Sequence, residues 1–413
     1  GCVYMQTAAV SIAKALDIES KGITLLSPVF DLDFGQEAMA TAMLGLGKVL
    51  GSPKPFCAKA LLSGAMAVRR HTAAVEKQGK ALLATLRPDD KVLVLITRNY
   101  GVSDPILNMG IPELLLERGY KVITLSHLPG HALDISDEYD NLYYPFGQHI
   151  LSGAKLIAHH PNLYAVYLTN HGCGPDTMLS HLFKQEMGDK PYLQIEVDEH
   201  FSNVGVITRI EAFLNSLNHR PVEVLPKDFV LEQVDIRPCH LPAVPEKDFP
   251  LWLPPLGEYT ASLTGYFRAQ GVDAHALPHL SAHALSLGRA ETSAKEYLPF
   301  PALLGGILAQ QEADLAPAQF LIPQTQGAEA DGQYARVIRA VLDRRGNQSA
   351  KLVSPMLETL PATAQDRDAL FRALLAGDIL YAALAAMRAG IAAAWDALPG
   401  WAQLHKAAAE IGR

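Results

Sequence analysis

The sequence predicts an α/β protein of two lobes with parallel sheets, plus helical segments. Between Lys91 and Leu217 strand-like and helix-like runs alternate four times, the pattern of a parallel, doubly wound sheet. After a proline-rich interruption at residues 221–250, a second alternation begins near Leu251. The length, 413 residues, allows two or three domains with their own cores, and 49% hydrophobic with 19% charged residues suits a globular chain.

Each element follows from its local pattern. Lys91–Thr97 is a continuous β-rich run, as expected of a strand buried on both faces. Asn99-Tyr100-Gly101 reads as a loop and Gly110–Arg118 as a helix. Lys121–Leu125 is the second strand, and a helix through Leu142–Ala158 leads to the third, Leu163–Leu168. Thr177–Met187 is helical, Tyr192–Val197 is the fourth strand, and a helix spans about Val206–Leu217. In the second half, a short strand at Leu251 precedes a helix at Tyr259–Gln270 and a strand near Val272. Ala318–Ile322 and Lys351–Ser354 are further strands, separated by the loop Gln324–Gly332 and a helix from Gln333. An Ala-rich helix starts near Ala364; its most apolar part, Ile379–Ala394, is broken by Arg388 and falls short of a membrane span.

Residues 1–90 read as the back part of an α/β lobe: a helix over Thr7–Leu16, a strand over Gly22–Leu26, a helix over Phe34–Leu50 and a long helix over Pro55–Leu86. Because the first residue is Gly1, the chain is expected to be a piece of a longer polypeptide. The resulting division is 1–90, 91–220, a linker at 221–250, and 251–413. Only four cysteines occur, Cys2, Cys57, Cys173 and Cys239, widely spaced and without a CxxC pair. That argues against a disulfide scaffold and for a reducing, cytoplasmic setting. The net charge of -8, without a basic stripe, speaks against nucleic acid.

Chemistry concentrates at Asn170-His171-Gly172-Cys173-Gly174-Pro175-Asp176, directly behind the third strand and before a helix. In open α/β sheets the crevice at strand carboxyl ends is where ligands bind. A helix N-terminus favours an anion, so Cys173 is expected to be stabilised as the thiolate, the form that binds metals and attacks electrophiles. Gly172 and Gly174 would let a bulky group approach the backbone. The alternative is a buried, inert cysteine in a tight turn. Cys2 is the second candidate, since it precedes a helix one element before a strand ending in Ser27-Pro28; Cys57, at the start of a long amphipathic helix, reads as core or surface packing, and Cys239 as incidental. Asp198, Glu199 and His200, with Glu196, close the fourth strand and could bind a divalent metal or do acid–base work. They could equally cap the next helix and pair with Arg209. Asp104 and Asn108 stand on the same rim. No GxxxxGK[ST], nucleotide-type GxGxxG or GxSxG motif occurs, and paired Cys/His ligands for zinc are lacking.

In order along the chain, Asp104-Pro105 with Asn108–Pro112, Asp134–Asn141, Tyr167–Asp176, Gly188–Leu193, Asp198–His200 and Gly205–Phe213 form a specific set. This set resembles the dehydratase-like portion of the 2-hydroxyacyl-CoA dehydratase activase-related proteins, fusions related to the iron–sulfur subunits of 2-hydroxyglutaryl-CoA dehydratase. The resemblance implies Rossmann-like lobes with a [4Fe-4S] cluster between them, held by cysteine thiolates. Cys173 matches one ligand position, flanked by Gly172 and Gly174, and Cys2 resembles the cysteine of the family's "CP…Q" segment, although Val3 replaces the proline. A further cysteine would precede residue 1. The ATPase activator domains are not in this sequence.

The second half resembles the family through Gly257-Glu258-Tyr259, Thr292–Phe300 and Gln326–Tyr334. Where relatives show cysteines in "GKECxP" and "GPCRFGQY", this chain has Tyr297 and Glu329. A phenol and a carboxylate are poor substitutes for soft thiolates, so this lobe is expected to have lost its cluster. The resemblance implies an iron–sulfur protein of anaerobic metabolism that accepts a low-potential electron from an ATP-dependent activator domain or subunit. That electron would serve radical dehydration, or a related reduction, of an acyl-CoA-like substrate, with Asp198, Glu199 and His200 as proton carriers or scaffold. The chain would then be a lyase or a component of an ATP-coupled reductase. The alternative is a non-catalytic electron-relay or docking module of a large multi-domain activase protein.

Overall fold

The computed structural model describes residues 3–30, 35–170, 172–198, 202–221, 224–226, 229–293, 295–325, 330–356 and 363–388. Three helices open the chain: α1 (Val3–Ala15), α2 (Gly35–Val49) and α3 (Lys54–Leu83). Lobe 1 follows with β1 (Val92–Ile96), α4 (Asn99–Ser103), α5 (Ile111–Glu117), β2 (Lys121–Thr124), α6 (Pro145–His159), β3 (Leu163–Asn170), α7 (Gly174–Met187), β4 (Leu193–Val197) and α8 (Asn203–Asn218). Lobe 2 holds β5 (Leu251–Leu253), α9 (Tyr259–Ala269), β6 (Ala274–Ala276), α10 (Ala282–Ala290), α11 (Pro299–Ala313), β7 (Ala318–Leu321), α12 (Tyr334–Arg344), β8 (Ala350–Val353) and α13 (Ala364–Arg388).

The two sheets repeat one topology. Strand order is β2-β1-β3-β4 in lobe 1 and β6-β5-β7-β8 in lobe 2, with every pairing parallel. β1 shows why its sequence is apolar throughout: Val92, Val94 and Ile96 enter the core on one face, while Leu93 and Leu95 enter that on the other. β3 alternates in the same way, with Tyr167 and Ala165 on one side and Val166 and Leu168 on the other. The first of these cores is shared, because Phe300, Leu304, Phe320 and Ile338 of lobe 2 join it. The lobes thus face each other through α6, α7, α11 and α12, while α5 with α8 and α9 with α13 cover the outer faces.

Several expectations are corrected. Gly22 closes a turn, residues 23–26 form no strand, and Ile23 is 55% exposed. A strand needs a ladder for its backbone groups, and none is offered among the described residues. The segment lies instead across an open groove of about 790 Å³ from α2. Asn99–Ser103 is a short helix, and α10 and α11 were not anticipated: mixed small and apolar residues gave no clear period there. Gly288 and Gly305 let those two helices touch backbone to backbone, since a Cβ on either would fall on a carbonyl oxygen of the other. The 221–250 segment has no helix or strand among its described residues, yet it is packed. Leu231, Val234, Ile236 and Leu241 rest on the shared core, and the Cys239 amide donates to the Asp137 carbonyl and the Ser354 amide to the Pro242 carbonyl. It is a strap across both lobes. The helix predicted to begin at Leu142 starts at Pro145, whose ring suits the first helical turn. Among the described residues no helix is long and apolar enough to cross a membrane.

Candidate functional site

The order β2-β1-β3-β4 places the topological switch of lobe 1 between β1 and β3. Chain segments leaving these two strands diverge and open a crevice at their carboxyl ends. Arg98 enters it behind β1, and the loop before α7 enters it behind β3. Gly172 turns the chain there with φ +67, the left-handed region glycine tolerates. Cys173 is the N-cap residue of α7, and Gly174-Pro175 begin the helix.

One buried carboxylate organises this loop. Asp176 accepts the Asn170 amide at 2.9 Å through Oδ2 and Arg98 Nη2 at 2.8 Å through Oδ1. Arg98 Nη2 also stands 2.7 Å from Cys173 Sγ, and its guanidinium lies 4.4 Å over the Phe146 ring. Asn170 Nδ2 donates to the Tyr100 hydroxyl at 2.9 Å. Burial tends to lower the Arg98 pKa, but the charge and hydrogen bond of Asp176 outweigh it and hold the guanidinium above its ordinary value. Burial pushes the Cys173 thiol up, and the Asp176 charge adds to that; the Asp176 amide and Arg98 pull it down without prevailing. The expected thiolate is therefore not favoured. Asp176, inside the first helical turn, shares the guanidinium with the sulfur, and its own charge works against a thiolate beside it.

Lobe 2 closes the crevice from across the interface. The Tyr297 hydroxyl donates to the Gly172 carbonyl at 3.1 Å, and a Cβ on Gly174 would sit 3.3 Å from the Tyr297 ring. Next to it, Glu296 has no solvent exposure at its side chain; it pairs with His181 Nε2 of α7 and accepts from Ser293. Burial alone would raise the Glu296 carboxyl, but the hydrogen bonds from His181 and Ser293 hold it down to about 2. Its stabilising contribution is thus present above the ordinary value of 4.5 and fades as pH falls toward 2. Lys295 reaches Glu196 of β4 at 3.3 Å. A cleft of about 750 Å³ opens along this edge, lined by His181, Lys184, Gln194, Ser293, Lys295 and Arg344.

Of the other sequence-predicted residues, the described ones do not join one constellation. Asp198 lies half-buried just past β4, while Cys2, Glu199, His200 and Glu329 lie outside the described residues. Arg209 donates to the Gln194 carbonyl at 2.6 Å. Asp104 accepts the Ile106 and Leu107 amides, and buried Asn108 accepts the Gly110 amide, so both shape their own loop. Cys57 is buried at the α2–α3 crossing against Gly47. Among the described residues no group of three His, Cys, Asp or Glu side chains converges as a metal site. These residues do not fit a [4Fe-4S] cluster. They supply one thiol to the crevice, already engaged by Arg98, and the facing position holds a phenol. Sequence reasoning missed Arg98, Asp176 as the organiser, and the His181–Glu296 pair. Arg98 carried one usable signal, its place directly behind a buried strand.

Residues 1–128 match the CoA enzyme activase uncharacterised domain (DUF2229). This activase-associated domain spans α1 to α3, β1, β2 and Arg98, and it ends before Cys173. No curated protein and no solved structure matches the chain.

Proposed function

We propose that this chain is a docking module of a multi-domain CoA enzyme activase-type protein, with an ATP-dependent activator domain or subunit as its partner. The observation that carries this reading is the surface of the activase-associated region. Val10, Leu16, Val49, Phe56, Leu62 and Val68 on or beside α1, α2 and α3 are all more than half exposed. Large apolar side chains left exposed on three successive helices favour a protein contact. The test mixes the purified chain with an ATP-dependent activator, with and without nucleotide, and measures complex formation by size-exclusion chromatography with light scattering. A complex weakened by Leu16→Glu with Phe56→Glu supports docking; no complex under either condition overturns it.

A second reading keeps the chain as an iron–sulfur protein of the 2-hydroxyacyl-CoA dehydratase type acting on an acyl-CoA-like substrate. The position of Cys173 at the switch point favours it. It requires thiolates beyond the described residues. Iron, sulfide and EPR on anaerobically reconstituted protein decide it: a stoichiometric cluster lost in Cys173→Ser supports this reading, and an iron-free wild type rejects it.

A further inference from the structure

The two lobes grip each other reciprocally. In each, the segment before the proline that opens α6 or α11 reaches across to the other lobe's strand-end loop. From lobe 1, Asn141 Nδ2 lies 3.0 Å from Gln324 Oε1, 3.1 Å from the Thr325 carbonyl and 3.2 Å from the Gly332 carbonyl. From lobe 2, Tyr297 reaches Gly172. A small residue makes room in both cases: Gly332 under Asn141, Gly174 under Tyr297. Each segment also carries a carboxylate that meets a nitrogen-bearing side chain on the opposite helix, Glu138 with Arg336 of α12 and Glu296 with His181 of α7.

The two grips differ in what holds them. On the Asn141 side, Glu138 and Lys155 are buried and joined at 2.7 Å, and Lys155 also meets Glu186 at 2.8 Å and the Asp235 carbonyl at 3.2 Å. The Arg237 amide donates to Glu138 at 3.1 Å, so the strap is stitched into the same network. Separating the lobes here would break the Glu138–Arg336 contact and the Asn141 bonds, while the strap, held to the lobe 1 network at Arg237 and to lobe 2 at Pro242, spans the edge. On the Tyr297 side no strap residue is bonded among the described residues. Tyr297 is 49% exposed, the Lys295–Glu196 contact is partly solvated, and the edge opens into the 750 Å³ cleft. The exposed Tyr297 and Lys295 contacts open locally at low cost, and the buried Glu296–His181 pair is what holds this edge closed.

We propose that Lys295, Glu296 and Tyr297 form an interlobe latch over the Cys173 loop, and that the lobes part on this edge about the strapped Asn141 edge. Tyr297 lies against both neighbours of Cys173, so release of the latch uncovers the thiol. This device does not depend on the docking or the cluster reading, because its signal is thiol access and not activity.

The experiment is alkylation of the full chain with iodoacetamide at fixed pH, read at each cysteine by peptide mass spectrometry. Tyr297→Ala is expected to raise the Cys173 rate roughly tenfold or more, and Glu296→Gln, which leaves the ring in place, roughly fivefold. Cys239, half-buried beside Arg336 on the strapped edge, should keep its wild-type rate. An unchanged Cys173 rate in Glu296→Gln would mean a fixed cover and overturn the latch. So would a rise shared equally by Cys239, which reports general loosening. Tyr297→Phe, the mildest change, should give a smaller rise; a rise equal to that of Tyr297→Ala would reject a role for the ring.

Discussion

Lobe 1 and lobe 2 share strand order and the same proline-initiated helix at their contact, yet their strand-end crevices are built from different chemistry. Behind β3 lies a thiol held by a buried arginine–aspartate pair; behind β7 the described residues offer amides, with Gln324 and Gln333 bonded to Asn141. The topology supplies an equivalent crevice twice, and side chains decide what each can do. The strapped grip is buried and charged, whereas the grip over Cys173 is half-exposed. A duplicated scaffold can therefore be rigid at one edge and yielding at the other.

Four measurements would break or sharpen this contrast. The largest effect belongs to the strapped edge. Lys155→Ala leaves Glu138 and Glu186 buried without their cation and should cost about 3–5 kcal/mol in denaturant unfolding. A loss below about 1 kcal/mol would remove the reason to call that edge rigid.

Arg98→Ala tests the crevice of lobe 1 in the same way, because Asp176 is 6% exposed at its side chain and would lose its partner. About 3 kcal/mol is expected, with the smaller Arg98→Met loss showing how much comes from packing against Phe146.

Acid should separate the lobes. Burial, with a contribution from His131, holds His149 of α6 down to about 3, and burial holds His160, at the C-terminal end of the same helix, down to about 4. Leu303 stands at the matching place in α11, four residues past its proline. A histidine kept neutral when folded binds its proton only on unfolding, so stability falls as pH drops below the ordinary value of 6.5. Between pH 7 and pH 5, His149→Leu should remove about 2 kcal/mol of that loss, read from urea midpoints at both pH values. Equal acid sensitivity in the variant would place the effect elsewhere.

The smallest effect is Tyr297→Phe, about 1 kcal/mol or less for one exposed hydrogen bond. If its loss instead matched that of Lys155→Ala, the two edges would be equally firm.

Much of the fold was legible because buried parallel strands leave an unbroken apolar signature. Val92–Ile96 and Leu163–Leu168 are each fed by two cores, so every position is apolar and the strand stands out. Ile23–Leu26 carries the same signature and forms no strand, since apolar content says nothing about whether a neighbour exists to pair with. The site was legible in part. Glycines around Cys173 marked the turn, but the upward push on the thiol comes from burial and from Asp176, opposed by Arg98, which lies 75 residues away in the chain. Asp176 was visible in the motif, yet its role follows from which partner reaches it.

By itself, then, the sequence determined the two alternating halves, the sheets' parallel sense, and the cysteine turn behind β3. Those are local or periodic features, written in residues close together. Tertiary structure alone decided that Tyr297 covers the turn, that His181 meets Glu296 and that the strap joins Lys155 at one edge. Such contacts join residues that lie far apart in the chain, and whether a buried charge finds its counter-charge is settled only when the chain packs.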